Sequence, residues 1–523
     1  MRSLFTTLVG AGALAATAIS MPAHAGKAND TLVWATDRDA ETILPYYNPI
    51  REVVIMGTLG WDSLLYRNDK FEYEPLLAKS FKWVDDVTME FVLREDVKFH
   101  NGKQFKAEDV AYTINHVVAK DSGTTTRSNV DWMKSAEVVS DFVVRINLVK
   151  PFPAALEYLA GPVVIYPKGN FDNAKDVGGK KDYGTAPAMG TGPYIVSAQK
   201  PGEAFTFKAN PNYFGGPKGK PKIGTIVFRV IPDPEAQIAE LLTGGVDWLW
   251  DVPKDKAEQI GTMGPITVVS APTMRISYVQ FNSSARPPCA TGKCAATGDG
   301  GVQSPFLKKE VRMAVAHAVN REAIAKNLVG GASEVMHSAC YPTQFGCTSD
   351  VPRYDYDPAK AKALLAKAGY PNGFETDIYA YRQREYTEAV IGDLAQVGIK
   401  ANLKYMQFKA LRELVWGAKT PFNNMTWGSF SINDVSAILS VFFNNERDDL
   451  NMDPEVAAWL VKGDTSVDPA VRKENYKKAL TKIAQEVYWL PLFSYSKYYA
   501  FSKDLNFKPT PDELPQFYNA SWK

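Results

Sequence analysis

Two arginines stand two positions apart where a strand-like stretch of the sequence gives way to a helical one. These residues, Arg382 and Arg384, carry guanidinium groups that bind carboxylates through paired hydrogen bonds. The free N–H groups at the start of the following helix would add to the attraction for an anion. We therefore expect both side chains to bind a carboxylate; the alternative is that both are solvated surface groups.

Two further loops, at residues 36–47 and 425–434, combine polar and aromatic side chains after strand-like stretches. Binding clefts of α/β proteins collect residues from loops of this kind. An extended aromatic stretch that ends at 281–282 could contribute as well, although packing in a core is the alternative for its ring and for the tyrosines. The candidate ligand-binding residues of these segments are Tyr46, Tyr47, Phe281, Asn282, Trp427, Gly428, Ser429, Phe430, Asn433 and Asp434.

The sequence carries none of the short motifs typical of catalytic or cofactor sites. The histidines beyond residue 25 have no H-E-x-x-H or other metal-ligand spacing; they are His100, His116, His317 and His337. No G-x-S-x-G elbow occurs, and residues 190–195 (GTGPYI) place a proline where a dinucleotide fingerprint needs a helix start. We expect no enzyme, no metal and no cofactor, while a hydrolase that uses paired carboxylates stays open.

The first 25 residues have the features of a secretory signal peptide. Arg2 is followed by an apolar run at 4–19 and by the small-residue site Ala23-His24-Ala25. A buried N-terminal helix is the alternative. No cysteine follows the cleavage site, so we expect no acylated anchor and a mature chain that is free in the periplasm.

Four cysteines form two local pairs, Cys289 with Cys294 and Cys340 with Cys347. In an oxidising compartment this close spacing favours two local disulfides. A zinc site with four cysteine ligands is the alternative, but the C-x-x-C spacing of such sites is missing.

Charge and length exclude several classes of protein. The chain has 59 Lys and Arg against 58 Asp and Glu, a net charge of +1, so no basic surplus indicates nucleic-acid binding. Its 523 residues exceed what one core can hold and suit two or three domains. No apolar stretch beyond the signal is long enough to cross a membrane. Helical and strand-like stretches alternate, which predicts a mixed α/β fold.

Six segments, spread over most of the chain, resemble the signatures of one family. They are residues 97–110 (VKFHNGKQFKAEDV), 190–194 (GTGPY), 210–216 (NPNYFGG), 241–247 (LLTGGVD), 311–321 (VRMAVAHAVNR) and 356–369 (YDPAKAKALLAKAG). The family is that of the extracytoplasmic solute-binding proteins, family 5, which serve dipeptide, oligopeptide, nickel and opine ABC importers. Each segment also suits a scaffold role in a turn or helix, so the resemblance indicates the fold rather than the solute.

The resemblance implies a two-lobe, periplasmic-binding-protein-like α/β fold (type II, cluster C) with an extra subdomain in the first lobe. After the signal peptide at 1–25, we expect lobe I at 26–278, with the subdomain at about 50–185. Lobe II would follow at 279–497, and residues 498–523 would return to lobe I. Two extended segments, 276–282 and 491–501, would cross between the lobes.

The same resemblance implies a monomer that captures a short peptide, or a peptide-like or opine-type solute, by hinge closure and delivers it to a membrane permease. In peptide-binding relatives, an aspartate in the loop similar to 425–434 holds the α-amine of the peptide, and Asp434 is its nearest counterpart. The usual W-x-x-D-x-x-D-P pattern is absent, since Val435 replaces the proline. Opines, organic-acid conjugates and metal chelates therefore stay open. So do an exported hydrolase and a periplasmic chaperone or chemoreceptor adaptor.

Overall fold

The computed structural model describes residues 25–284 and 304–523. The predicted signal peptide lies almost entirely outside the described residues, and Cys289 and Cys294 lie outside them as well. The strands are β1 (Thr31–Thr36), β2 (Leu65–Arg67), β3 (Tyr73–Pro75), β4 (Ala78–Asp85), β5 (Thr88–Leu93), β6 (Met133–Ser140), β7 (Val143–Leu148), β8 (Lys175–Val177), β9 (Lys180–Asp182), β10 (Tyr194–Lys200), β11 (Ala204–Ala209), β12 (Thr225–Val230), β13 (Trp248–Leu249), β14 (Ile266–Phe281), β15 (Phe374–Ala380), β16 (Ile399–Tyr405), β17 (Phe422–Trp427), β18 (Trp489–Ser502), β19 (Leu505–Asn506) and β20 (Ser521–Trp522).

Helices alternate with these strands. They are α1 (Arg51–Gly60), α2 (Ala107–Val118), α3 (Ala155–Leu159), α4 (Pro234–Thr243), α5 (Lys254–Ile260), α6 (Lys309–Ala318), α7 (Arg321–Ala323), α8 (Pro358–Lys367), α9 (Arg384–Gln396), α10 (Phe408–Trp416), α11 (Ser436–Phe442), α12 (Pro454–Thr465) and α13 (Pro469–Glu486). No helix of the described residues is long and apolar enough to span a lipid bilayer.

Four of the helices begin in the same way, with an aspartate followed by a proline. The aspartate is the N-cap, and its side chain accepts a hydrogen bond from a backbone N–H of the first turn; the proline takes the first helical position. These N-caps are Asp233, Asp357, Asp453 and Asp468. Proline suits this position because its missing N–H would have no partner in the first turn. Local sequence therefore sets these four helix starts.

A ten-stranded sheet runs through both lobes in the order β10-β11-β12-β1-β13-β18-β14-β17-β15-β16. Lobe I contributes the five strands from β10 to β13, with β1 parallel to both β12 and β13. Lobe II contributes β17, β15 and β16, which are parallel to each other. Each half is covered by helices and has its own apolar core, which explains the alternation of helical and strand-like stretches in the sequence.

The long antiparallel strands β14 and β18 connect the two halves of the sheet. They pair from Ile266 with Ser502 to Gln280 with Trp489, but their register shifts between Pro272 and Ile276. Beyond this irregularity β14 also pairs with β17 of lobe II. The predicted divisions of the chain at 278/279 and 497/498 fall within these two strands.

A separate four-stranded antiparallel sheet, in the order β4-β5-β7-β6, lies in the segment where the subdomain of lobe I is expected. Inward side chains alternate along β5 and β7, and α2 packs against β6 and β7. The inward side chains include Met89, Phe91, Val144 and Ile146, all fully buried. This sheet shares one continuous apolar core with β1, β11 and β12.

The motif at 190–194 has a structural explanation in the close approach of two backbone segments. A Cβ atom on Gly192 would lie 2.3 Å from the carbonyl oxygen of Leu59 and 2.5 Å from the carbonyl carbon of Gly60. His100 of the 97–110 motif lies at the same contact, with its Nε2 3.0 Å from the carbonyl oxygen of Gly192. Two of the family-like segments therefore stabilise one junction in lobe I.

Replacing Gly192 by alanine should lower the free energy of unfolding by about 1–3 kcal/mol, because the added methyl group meets backbone atoms that cannot move aside easily. Chemical denaturation of the purified variant measures this. Gly264→Ala is the matched control, since a Cβ there meets no atom within 4 Å. Equal stability of the two variants would contradict the close approach.

Candidate solute-binding cleft

A cavity of about 160 Å³ lies between the lobes, beside the crossing strands β14 and β18. Lobe I lines it with the loop after β13, the start of α5 and the C-terminal segment. Lobe II lines it with the end of the π-helical turn Ile324–Val329 and the loop before α9. The lining residues are Asp251, Val252, Pro253, Lys254, Arg275, Leu328, Val329, Arg382, Gln383, Tyr386, Tyr495, Ser496, Lys497, Tyr498 and Glu513.

Positive charge dominates this lining. Its four cationic residues are Lys254, Arg275, Arg382 and Lys497, and its two anionic residues are Asp251 and Glu513. A cavity with such an excess attracts anions, and the attraction is stronger where low-dielectric walls exclude water.

The carboxylate of Glu513 is already surrounded by cations of the protein. Lys497 lies 3.6 Å from it, Arg51 3.6 Å and Arg275 3.8 Å. Burial alone would raise the pKa of Glu513, but these three charges prevail and lower it below its ordinary value. The other acidic group of the lining, Asp251, forms an ion pair with Lys497 at 3.2 Å. Both carboxylates of the cavity are therefore neutralised before any solute enters.

Two cations of the lining, Arg382 and Lys254, have no carboxylate partner among the described residues. The guanidinium carbon of Arg382 lies 5.8 Å from the ring centre of Tyr495, a cation–π contact that leaves its N–H donors available. Lys254 donates one hydrogen bond, at 3.2 Å, to the carbonyl oxygen of Asn327. Because Lys254 belongs to lobe I and Arg382 to lobe II, an anion between them would contact both lobes.

Three non-glycine residues of the lining have a positive φ, which L side chains rarely adopt. They are Asp251 (56°), Gln383 (37°) and Glu513 (59°). Such conformations cost about 1–3 kcal/mol each and persist where the surroundings impose them. Their concentration around one cavity is typical of a functional site.

Arg384, in contrast, does not line the cavity. It is the first residue of α9, its side chain is 62% exposed, and it forms an ion pair with Glu388 one turn further along the same helix. The two arginines that the sequence presents together therefore have different surroundings.

The loop after β17 carries most of the remaining candidate residues, and its side chains are largely engaged inside the protein. The carboxylate of Asp434 is buried and accepts two hydrogen bonds from Arg472, at 2.8 and 3.0 Å. Trp427 donates from its indole N–H to the carbonyl oxygen of Ala437 at 2.8 Å. Ser429 and Asn433 are buried. None of these residues is among those that line the cavity.

Gly428 and Phe430 are the other two candidate residues of this loop. Gly428 lies next to the cavity, since an added Cβ would stand 2.9 Å from Nη2 of Arg275. Phe430 belongs to the short 3-10 turn Ser429–Ser431. The loop thus borders the cavity through Gly428 and Arg275.

The remaining candidates lie in cores. Tyr46 is buried and donates to the carbonyl oxygen of Val164 at 2.8 Å, while the hydroxyl of Tyr47 lies 2.8 Å from Nε2 of His116. Phe281 packs among the rings of lobe II, and the side-chain amide of Asn282 donates to a main-chain carbonyl at 3.3 Å. None of the four is among the residues that line the cavity.

Several lining residues were not anticipated from the sequence. Arg275 and Lys497 lie on β14 and β18, close to the point where the strands pass between the lobes. Lys497 belongs to the predicted crossing segment 491–501, so its charge in an otherwise aromatic stretch was an available signal. Lys254 and Glu513 carry no local pattern that marks them, because they reach the cavity only through the tertiary fold.

Two α/β lobes joined by paired crossing strands around a charged cavity define the class of two-lobe solute-binding proteins. The sequence matches the family described as "Bacterial extracellular solute-binding proteins, family 5 Middle" over residues 72–449, and the chain belongs to this family. The predicted family and its solute-binding function are confirmed.

Among the curated relatives is Heme-binding protein A of Haemophilus influenzae, which is 24% identical over 457 aligned positions that cover 82% of this chain and 80% of the relative. Glutathione-binding protein GsiB of Salmonella typhi is 25% identical over 549 aligned positions, covering 98% of this chain and 97% of the relative. The likeness therefore extends over most of both chains.

Solved structures confirm the predicted two-lobe fold. HbpA2 from Haemophilus parasuis superposes with a TM-score of 0.80 at 24% identity, covering 94% of this chain and all of that one. NikA from Brucella suis, solved with Fe(III)-EDTA, gives a TM-score of 0.79 at 23% identity with the same coverage. At these identities the likeness establishes the fold alone.

Proposed function

We propose that the cleft binds a small anionic, peptide-like solute and holds its acidic group between Arg382 and Lys254. The observation that carries this proposal is that both cations lack a carboxylate partner among the described residues, although both carboxylates of the cavity are paired. An anion bridging them would join lobe II to lobe I. A solute seated there would displace water from the cavity, and the lower effective dielectric would strengthen both contacts.

The relatives support a peptide-like solute. Glutathione, after which several of them are named, is a tripeptide with two carboxylates and one amine. A net negative charge at neutral pH matches the positive lining of the cavity. Glutathione is therefore the first solute to test, followed by other acidic peptides and by opines.

The predicted signal peptide and the family support a role in import. After cleavage of residues 1–25, the mature protein would act in the periplasm as a monomer and deliver its solute to the permease of an ABC importer. We infer that the solute leaves chemically unaltered, so the protein would act as a carrier rather than as an enzyme.

A thermal-shift experiment on protein refolded from denaturant, and therefore free of solute, tests the proposal. Glutathione, an acidic dipeptide and an opine are compared with a size-matched lysine peptide. A solute at 100 times its Kd should stabilise the protein by about 2.7 kcal/mol. We expect stabilisation by acidic solutes and none by the lysine peptide. Equal or greater stabilisation by the lysine peptide, or no response to any acidic solute, would contradict the proposal.

A further inference from the structure

A second set of contacts joins the lobes outside the cavity. It involves residues 429–434 of lobe II, which we name the latch loop. The backbone N–H of Asn433 donates to Oε2 of Glu157, in α3 of lobe I, at 2.8 Å. Arg67, on β2 of lobe I, donates to the carbonyl oxygen of Ser431 at 3.2 Å. Residues of lobe I therefore bind the main chain of the latch loop at two points.

The hydroxyl of Ser431 adds two more contacts. It accepts a hydrogen bond from Arg51 and donates one to the carbonyl oxygen of Asp512 at 2.5 Å. Arg67 also forms ion pairs of 2.6 Å with both Glu157 and Asp512, which orients its guanidinium group toward the loop. Every group in this network belongs to the protein, so none of these contacts requires a solute.

Burial makes these interactions effective. Glu157 and Asn433 are each 2% exposed, and Ser431 is 6% exposed. Hydrogen bonds to a charged group strengthen in such surroundings, because little water competes for the donors. Separating the lobes would expose this network to solvent and break the bond between Asn433 and Glu157.

Lobe II holds the latch loop in a defined shape. The main chain of Phe345 bonds to the loop on both sides, accepting from Val435 at 3.0 Å and donating to the carbonyl oxygen of Asn433 at 2.9 Å. Phe345 lies in the short segment closed by the disulfide between Cys340 and Cys347. The loop is therefore anchored to a cross-linked segment of its own lobe.

The backbone of the latch loop adopts an unfavourable conformation at two serines. Ser429 and Ser431 have φ values of 50° and 66°, in the left-handed region that disfavours serine. Such conformations persist only where surrounding contacts impose them. The contacts of Ser431 with Arg51, Arg67 and Asp512 are among those that hold this conformation.

We propose that the latch loop closes the lobes in the absence of solute, and that Glu157 and Ser431 are positioning residues that set solute affinity without contacting the solute. A solute that binds only the closed form gains apparent affinity in proportion to the closed fraction. This inference rests on the proposed function and deepens it. The latch would supply part of the free energy of closure that an anion between Arg382 and Lys254 would otherwise have to supply.

Small-angle X-ray scattering of solute-free protein tests the latch directly. Wild type should give a radius of gyration that matches this structure, in which the latch loop contacts lobe I. Glu157→Gln removes the charge that accepts from Asn433 and Arg67, so the ratio of closed to open molecules should fall about tenfold and the radius of gyration should rise. Ser431→Ala should shift the radius in the same direction, with a melting temperature that shows an intact fold.

Glu90→Gln is the matched control. Glu90 lies on the subdomain sheet and bonds to Lys82 and Arg145 of its own lobe, so the variant should scatter like wild type. A wild-type protein as open as Glu157→Gln would overturn the latch. Since no solute is present, this failure would leave the anion-binding proposal standing. If no acidic solute of the thermal-shift panel stabilises the protein while solute-free wild type scatters as the closed form, only the proposed function is contradicted.

Discussion

Asp434→Ala should lower the free energy of unfolding by about 3–5 kcal/mol. The carboxylate is buried and bonded twice to Arg472, so its removal leaves a buried guanidinium group without its charge partner. The hydroxyl and the backbone N–H of Ser436 lose their acceptor as well. Chemical denaturation followed by tryptophan fluorescence measures the loss.

Asp350→Ala is the control for this variant. Asp350 pairs with Lys477 on the same lobe, but both side chains are exposed, so the stability of this variant should equal that of wild type. If Asp434→Ala keeps wild-type stability yet loses solute affinity, Asp434 is a solute ligand, as the sequence suggested, and the structural role is refuted.

Arg382→Ala should weaken the binding of an acidic solute by roughly 10- to 150-fold, the equivalent of about 1.5–3 kcal/mol for a hydrogen bond to a charged group. Lys254→Ala should act in the same direction, because it removes the anion's contact with the other lobe. The melting temperature of the solute-free variants should stay near that of wild type, since neither cation has a carboxylate partner among the described residues. Isothermal titration with the best solute of the panel measures the affinity.

Arg384→Ala provides an internal control only two residues away. Its side chain is exposed and bonded to Glu388, so affinity should be unchanged. A loss of affinity in Arg384→Ala equal to that in Arg382→Ala would mean that long-range charge, rather than a defined contact, attracts the solute; that shared loss would also disappear at high salt.

Much of the fold could be predicted from the sequence because it is encoded locally. Asp357 followed by Pro358 specifies a helix start, and the alternation of helical and strand-like stretches specifies the α/β class. Residues 190–194 require glycine because two backbones meet at Gly192, and a family shares such requirements across different solutes.

The site was less predictable from the sequence, because it depends on which charged side chains the tertiary fold brings together. Arg382 and Arg384 look alike in the sequence, but the start of α9 separates them, so that one lines the cavity and the other pairs with Glu388. Asp434 meets Arg472 only because α13 packs beside the latch loop, and no short motif records that pairing. Glu513 reaches the cavity from the C-terminal segment for the same kind of reason.

The aromatic candidates illustrate a related limit. Tyr46 and Phe281 occur in stretches that could face a cleft or a core, and ring type does not distinguish the two. In the structure both are almost fully buried, Tyr46 in lobe I and Phe281 in lobe II. Side-chain direction in an irregular loop is fixed by tertiary packing, which a single sequence does not reveal.

A crystal structure of the protein saturated with the solute that raises its melting temperature most would show directly where the acidic group binds. We expect one solute between the lobes, with its acidic group within about 3 Å of the donors of Arg382 and Lys254. A solute that turns a neutral or cationic group toward Arg382, or that binds outside the cavity beside β14 and β18, would contradict this expectation.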